Sequence, residues 1–253
     1  MQSFINKISI LFFLLSSASI GLFSQTTTGK SKKLFQEAFN EYVEMLDGKR
    51  EISLKRAVFL YENAYSNDTL NYSEFCKTID NIVYKLKFNI RLNNLEKYKT
   101  GGNYMVFSYL KEPNELNKNQ PYTYDFEDFS VKRDYSKVFV TKLLRTKKGN
   151  CLSFPLLYKI LCDELGTKSY LALAPNHLYI KHQDENGQWT NVELTNGGFP
   201  RDQWIIQQLG ISVEAIKNEI YMKPLSEKEN IVLCMAHLAN AYRHKYGDDI
   251  FIF

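Results

Sequence analysis

Three residues in the second half of the chain have the types and order that thiol chemistry on an amide requires: Cys151, His177 and Glu193. A thiol is a strong nucleophile only as its thiolate, and amide chemistry also needs a group that takes the thiol proton and returns it to the leaving nitrogen. An imidazole does this near neutral pH, and a carboxylate on its other nitrogen fixes the tautomer and steadies the imidazolium. Cys151 follows Gly149 and Asn150 and opens an apolar stretch that runs to Leu165. A sulfur there lies at a helix N-terminus, whose dipole and unpaired N–H groups lower a thiol's pKa and face the place where an oxyanion would form. Pro155 has no N–H for the carbonyl of Cys151, which puts the start of the regular helix at or just after the cysteine. Each residue also has an ordinary reading: a buried small hydrophobe for Cys151, a packed strand histidine for His177 and a solvated edge residue for Glu193.

The elements that must position the three are a helix over about Leu152–Leu165, a strand over Ser169–Ala174 and a hairpin with arms His177–His182 and Trp189–Leu194. Asp184, Glu185, Asn186 and Gly187 form a strong turn signal between the arms. A loop of Asp184 to Asn186 sets His177 directly opposite Glu193. A loop that includes Gly187 slips the pairing by one residue and needs a bulge to restore it.

This series resembles the core of the transglutaminase-like superfamily: Gly149, Asn150 and Cys151, then a helix, then His177 on a strand, then Glu193, Leu194 and Thr195 on the return strand. Members have a cysteine at a helix start, a histidine on the next strand pair and an acidic residue followed two positions later by threonine, usually as Asp-Pro-Thr. The resemblance spans about Tyr124 to Gly198 and is greatest to bacterial members with helical flanks. It implies an α+β, papain-like fold in which the helix bearing the cysteine packs on an antiparallel sheet that carries His177 and Glu193. It also implies a cysteine hydrolase or acyltransferase that acts on a peptide or protein amide without metal or cofactor; hydrolysis is favoured over cross-linking because keeping water from the thioester requires a purpose-built groove. Glu193 in place of Asp and Leu194 in place of Pro depart from the pattern, so no substrate is carried over. The rival reading is a non-catalytic module of the same fold that holds a peptide or partner protein.

Around that core, helical spacing marks Leu34–Leu46, ended near Gly48, a second helix opened by Ser53, and a third from about Tyr72 to Ile90. Gly101 and Gly102 break the pattern, and the aromatic and β-branched run from Tyr104 to Leu110 predicts a strand. Lys111–Tyr124 reads as loop and Ser136–Leu144 as helix. Beyond Gly198, Asp202–Leu209 and Val213–Glu219 read as helices, and a last helix starts at Ser226, which has capping-box spacing to Glu229. The expected organisation is a signal peptide over 1–24, a helical subdomain over 31–100, the core over 101–220 and a C-terminal helix over 221–253.

The signal peptide is read from Lys7, the apolar run from Ile8 to Leu15 and the small residues before Gly21. The run is shorter than the roughly 20 residues that span a bilayer, so cleavage is favoured over an anchor, and an exported, periplasmic or secreted protein is expected without stable membrane insertion. The formal charge of +4 is scattered, which argues against a nucleic-acid partner. Arg145, Lys147 and Lys148 form the densest basic cluster, either beside the thiolate or as a solvated loop. Cys151 and Cys162 lie too far apart on one helix to bond, and Cys76 and Cys234 read as buried free thiols. His182 falls on the other face of its strand from His177, and His237 and His244 are too far apart to ligate one metal ion directly. Trp189, Tyr122 and Tyr124 are candidates for a substrate groove, with packing as their ordinary role.

Overall fold

The computed structural model describes residues 29–128 and 131–247, so the expected signal peptide lies outside the described residues. The fold is α+β. Helix α1 (29–46) is followed by α2 (Leu54–Tyr65), α3 (Tyr72–Leu92) and α4 (Gly101–Lys111). A two-residue strand β1 (Thr123–Tyr124), helix α5 (Val140–Thr146) and strand β2 (Lys148–Gly149) lead to α6 (Ser153–Leu165). Strands β3 (Tyr170–Ala174), β4 (His177–Gln183) and β5 (Trp189–Val192) come next, then α7 (Asp202–Leu209), α8 (Val213–Lys217) and α9 (Glu227–Tyr246).

Strands β3, β4 and β5 form an antiparallel sheet in sequence order, and β1 pairs with β2 in parallel. Helix α6 is apolar almost all round, from Phe154 to Cys162, as a helix packed on every side must be. It covers the sheet face that carries Leu171, Leu178, Ile180 and Val192, and the same apolar cluster extends from Phe35 on α1 to Tyr242 on α9. The other sheet face, with Ala172, Ala174 and Tyr179, packs on Ile205, Ile211 and Met222 from the α7–α8 region. The segment after α8 closes the free edge of β3, since the N–H groups of Met222 and Leu225 donate to Leu173 and Leu171.

The N-caps are where the sequence puts them: Ser53 on α2, and the reciprocal Ser226–Glu229 box on α9. The expected strand from Tyr104 to Leu110 is instead α4. Most of its buried positions, Gly101, Gly102, Met105, Val106, Tyr109 and Leu110, recur at helical spacing, and burial outweighs local β-propensity. The glycines do not break this helix; they let it approach its neighbours. A Cβ on Gly101 would fall 2.2 Å from the carbonyl oxygen of Leu95, and one on Gly102 would fall 2.0 Å from Thr167 Oγ1. The helix expected over Ser136–Leu144 is split at Phe139, whose extended backbone separates a short turn of 3-10 helix from α5.

Helix α5 is capped from a distance. The carboxylate of Glu62 on α2, fully buried, accepts from the N–H groups of Val140 (2.6 Å) and Thr141 (3.0 Å). Burial pushes this carboxyl up to about 7, against the stabilising hydrogen bonds. The chain runs from α5 through β2 into the turn that carries Cys151, so this cap helps to fix the ground under the site.

Candidate active site

Asn150 is the working cap of the helix that presents Cys151. Its Oδ1 accepts from the N–H of Leu152 (3.1 Å) and of Ser153 (3.0 Å), and Ser153 Oγ accepts from the N–H of Asn150 (3.0 Å). This reciprocal pair is a capping box one turn before the regular helix, and it puts the half-buried Cys151 at the first helical position. Two of the N–H groups at this helix start are therefore already used. The N–H of Cys151 has no acceptor among the described residues and is the backbone donor left for an oxyanion. Gly149 is required in front of it, because a Cβ there would fall 2.7 Å from Leu143 Cδ1 and 2.8 Å from Ser153 Oγ.

The turn is clamped from below. Lys142 Nζ donates to Asp125 Oδ2 at 2.5 Å and to the carbonyl of Lys148 at 2.8 Å, and Asp125 N–H donates to Gly149. Both side chains are buried, and their pairing ties β1 to β2. Tyr124, packed against Phe126 at 4.8 Å between ring centres, forms a wall close enough for the charges of Cys151 and Glu193 to act on its hydroxyl.

His177 is the first residue of β4. Its Nε2 donates to Glu193 Oε2 at 2.5 Å, while Glu193 Oε1 accepts the N–H of Thr195 at 2.7 Å. Cys151 Sγ lies 4.0 Å from the carbonyl oxygen of Asn176, the residue before His177. Burial alone would push the imidazole down, but hydrogen bonding and charge from Cys151 and Glu193 outweigh it and bring His177 up to about 9. Burial likewise opposes ionisation of Glu193, yet His177 and the Thr195 N–H hold its carboxyl below the usual range. With Nε2 committed to the carboxylate, Nδ1 is the nitrogen left for proton transfer.

The hairpin register differs from both expected alternatives. Ile180 pairs with Val192 and Gln183 with Trp189, so the continued ladder would set Glu193 opposite Tyr179, not His177. The loop takes up Asp184 to Gln188, closed by the Asp184 N–H on Gln188, with Gly187 at φ +83°. The shift is two residues from direct opposition, and an even shift keeps a side chain on the same sheet face. Glu193 therefore reaches His177 along a diagonal, helped by leaving the ladder to pair with Gly198. Tyr179 stacks behind the imidazole, with ring centres 6.4 Å apart and planes 14° apart.

The structure thus brings Cys151, His177 and Glu193 to one place and leaves the other candidates elsewhere. His182 is buried, with burial lowering its pKa and its Nδ1 3.1 Å from the carbonyl of Gln183. His237 is enclosed near Tyr135 and pushed down to about 4 by burial, and His244 Nδ1 meets the Tyr65 hydroxyl at 3.1 Å. Among the described residues no group of three His, Cys, Asp or Glu is disposed to hold a metal ion. Trp189 lies against Tyr170 at the opposite end of β4, about 20 Å from His177, and Tyr122 is buried against Tyr109, so neither lines this site. Lys147 donates to the carbonyls of Asn117 and Gln120, a structural use of part of the basic cluster. All four cysteines are free; Cys162 and Cys234 are buried, and Cys76 is half-buried rather than enclosed.

Sequence reasoning missed Lys111. Its Nζ reaches over the Phe154 ring at 4.7 Å and donates to the carbonyl of Tyr122, and its stem runs beside Gly197. Burial lowers its pKa while the charge of Glu193 opposes that shift. The residue follows a segment whose helical nature was itself misread, so no local signal marked it. No helix among the described residues is long and apolar enough to cross a membrane. Comparison of the chain with protein-family models, curated proteins and solved structures finds no match.

Proposed function

We propose that this chain is an exported thiol hydrolase or acyltransferase with a transglutaminase-like, papain-like core, acting on a peptide or protein amide through Cys151, His177 and Glu193. The observation that carries the reading is the 2.5 Å bond from His177 Nε2 to Glu193 Oε2 beside a cysteine held at a capped helix start. In the reaction Sγ adds to the carbonyl carbon, the oxyanion meets the Cys151 N–H, and His177 Nδ1 gives its proton to the leaving nitrogen as the C–N bond breaks. An imidazole brought up to about 9 carries that proton at neutral pH. Water then adds to the thioester, passes a proton to Nδ1 and releases Sγ as the C–S bond breaks. Export rests on the pattern of residues 1–24.

Iodoacetamide labelling tests this. Cys151 is expected to react near neutral pH much faster than an ordinary exposed thiol, and His177→Ala to slow it. Labelling at the ordinary rate, unaffected by that change, would replace the enzyme with a peptide- or protein-binding module.

A further inference from the structure

A groove of about 540 Å³ opens beside the triad, lined by Asn196, Phe199, Pro200, Arg201, Trp204 and Gln207 among others. Gly198 is part of that lining, and its N–H and carbonyl both bond to the backbone of Glu193, at 2.9 and 2.8 Å. Antiparallel partners are about 5 Å apart at Cα, so the groove wall is one strand spacing from the backbone of the residue whose carboxylate holds His177. The same helix braces both places. From α4, Phe107 packs on Phe199 at 4.7 Å between ring centres, while Lys111 covers Phe154, which lies one turn beyond Cys151.

Two large rings stand open in this groove: Phe199 is 57% exposed and Trp204 46% exposed. Rings held in place yet left open, next to reactive groups, are anchors for an apolar side chain. Arg201 is the one charged residue in the lining, and among the described residues no carboxylate pairs with it. Asp202 is turned to other work, its carboxylate accepting from Asn191 Nδ2 at 2.7 Å with Lys181 Nζ at 3.6 Å. Arg201 also stands at the start of α7 with no side-chain cap on that helix, which adds to the attraction for an anion.

We infer that this groove is the specificity subsite of the proposed enzyme, and that it takes a polypeptide segment of the acyl donor in which an aromatic or large apolar residue is followed by an acidic one. The apolar side chain lies between Phe199 and Trp204, and the carboxylate meets Arg201. An extended chain advances about 3.3 Å per residue, so a segment whose attacked amide is at Cys151 can carry its apolar side chain to the rings within a few residues. The inference rests on the catalytic reading for the identity of the occupant as substrate, but binding in the groove needs no chemistry.

The test uses the Cys151→Ala protein, which cannot turn over. The chain has 2 tryptophans, so Trp189→Phe leaves Trp204 as the reporter. A capped peptide containing Phe-Glu should shift Trp204 emission and bind at least tenfold more tightly than the matched Phe-Lys and Ala-Glu peptides. Arg201→Gln should erase the preference for Phe-Glu over Phe-Lys, and Phe199→Ala the preference over Ala-Glu. Equal binding of the three peptides would overturn the inference. In the protein with Cys151 intact, the Phe-Glu peptide should also protect the thiol from iodoacetamide; tight binding without protection would overturn the link to the triad. Slow labelling in the absence of peptide is a failure of the catalytic reading instead, and it leaves the binding result standing.

Discussion

Removing the charge of Glu193 should move the proton on His177 by a measurable amount. Glu193→Gln keeps the shape and the acceptor for the Thr195 N–H but replaces a charge-assisted bond of 2.5 Å to Nε2. Such a bond contributes about 1.5–3 kcal/mol, and 1.36 kcal/mol corresponds to one pKa unit, so the imidazole should fall by about one to two units. From about 9 in the native protein, it should titrate between roughly 7 and 8 in the variant. Glu193→Asp should give a smaller fall, because an arm shorter by about 1.5 Å opens the contact to roughly 4 Å, beyond hydrogen-bond range, while the charge stays near the imidazole. With 4 histidines in the chain, the imidazole Cε1–Hε1 signals can be followed individually by NMR, and His177→Ala identifies the one that matters. The same shift has a stability consequence whose sign is fixed by linkage. A folded-state pKa of about 9 against 6.5 stabilises the protein fully below pH 6.5, and the contribution, about 3 kcal/mol, is lost as pH rises through 9. The side chain is only 16% exposed, so solvent screening leaves that figure largely intact. Urea unfolding of the native protein should show the loss, and the Glu193→Gln protein should lose correspondingly less. A His177 signal titrating near 6.5 in the native protein, or one that ignores both substitutions, would refute the argument.

Asn150→Ala removes the cap of the helix that presents Cys151 and should cost about 1 kcal/mol in urea unfolding. Asp125→Ala leaves the buried Lys142 without its carboxylate and should cost about 3–5 kcal/mol, whereas the double change Asp125→Leu with Lys142→Met should recover much of that loss. Gly149→Ala forces a Cβ to within 2.7 Å of Leu143 and 2.8 Å of Ser153 Oγ, so a loss of about 1–3 kcal/mol is expected, read from the midpoint at unchanged m-value.

The chain carries two kinds of information about its fold, local and distant. Local punctuation was legible: Ser53 and Ser226 with Glu229 cap their helices as read, and the turn lies at Asp184–Gly187 as read, although its loop runs on to Gln188. The turn before Cys151 was legible as a turn, but the side-chain box through which Asn150 acts was not. What failed was whatever depends on partners distant in sequence. Gly101 and Gly102 look like breakers until Leu95 and Thr167 are placed against them, and the Asp125–Lys142 clamp and the Glu62 cap join residues that no pattern links.

The triad lies between these cases. Alternation along the hairpin fixes which face Glu193 occupies but not its register, because a two-residue shift leaves every side chain facing the same way. The extra loop residues move Glu193 from opposite His177 to opposite Tyr179, and the carboxylate then has to reach back along the diagonal. That gives a physical account of the longer acid at this position. With direct opposition an aspartate would have sufficed; with the observed register the added methylene closes the distance to Nε2, and the Thr195 N–H holds the other oxygen so that the longer arm points one way. The longer acid and the two-residue register shift fit one another, and each makes the other workable.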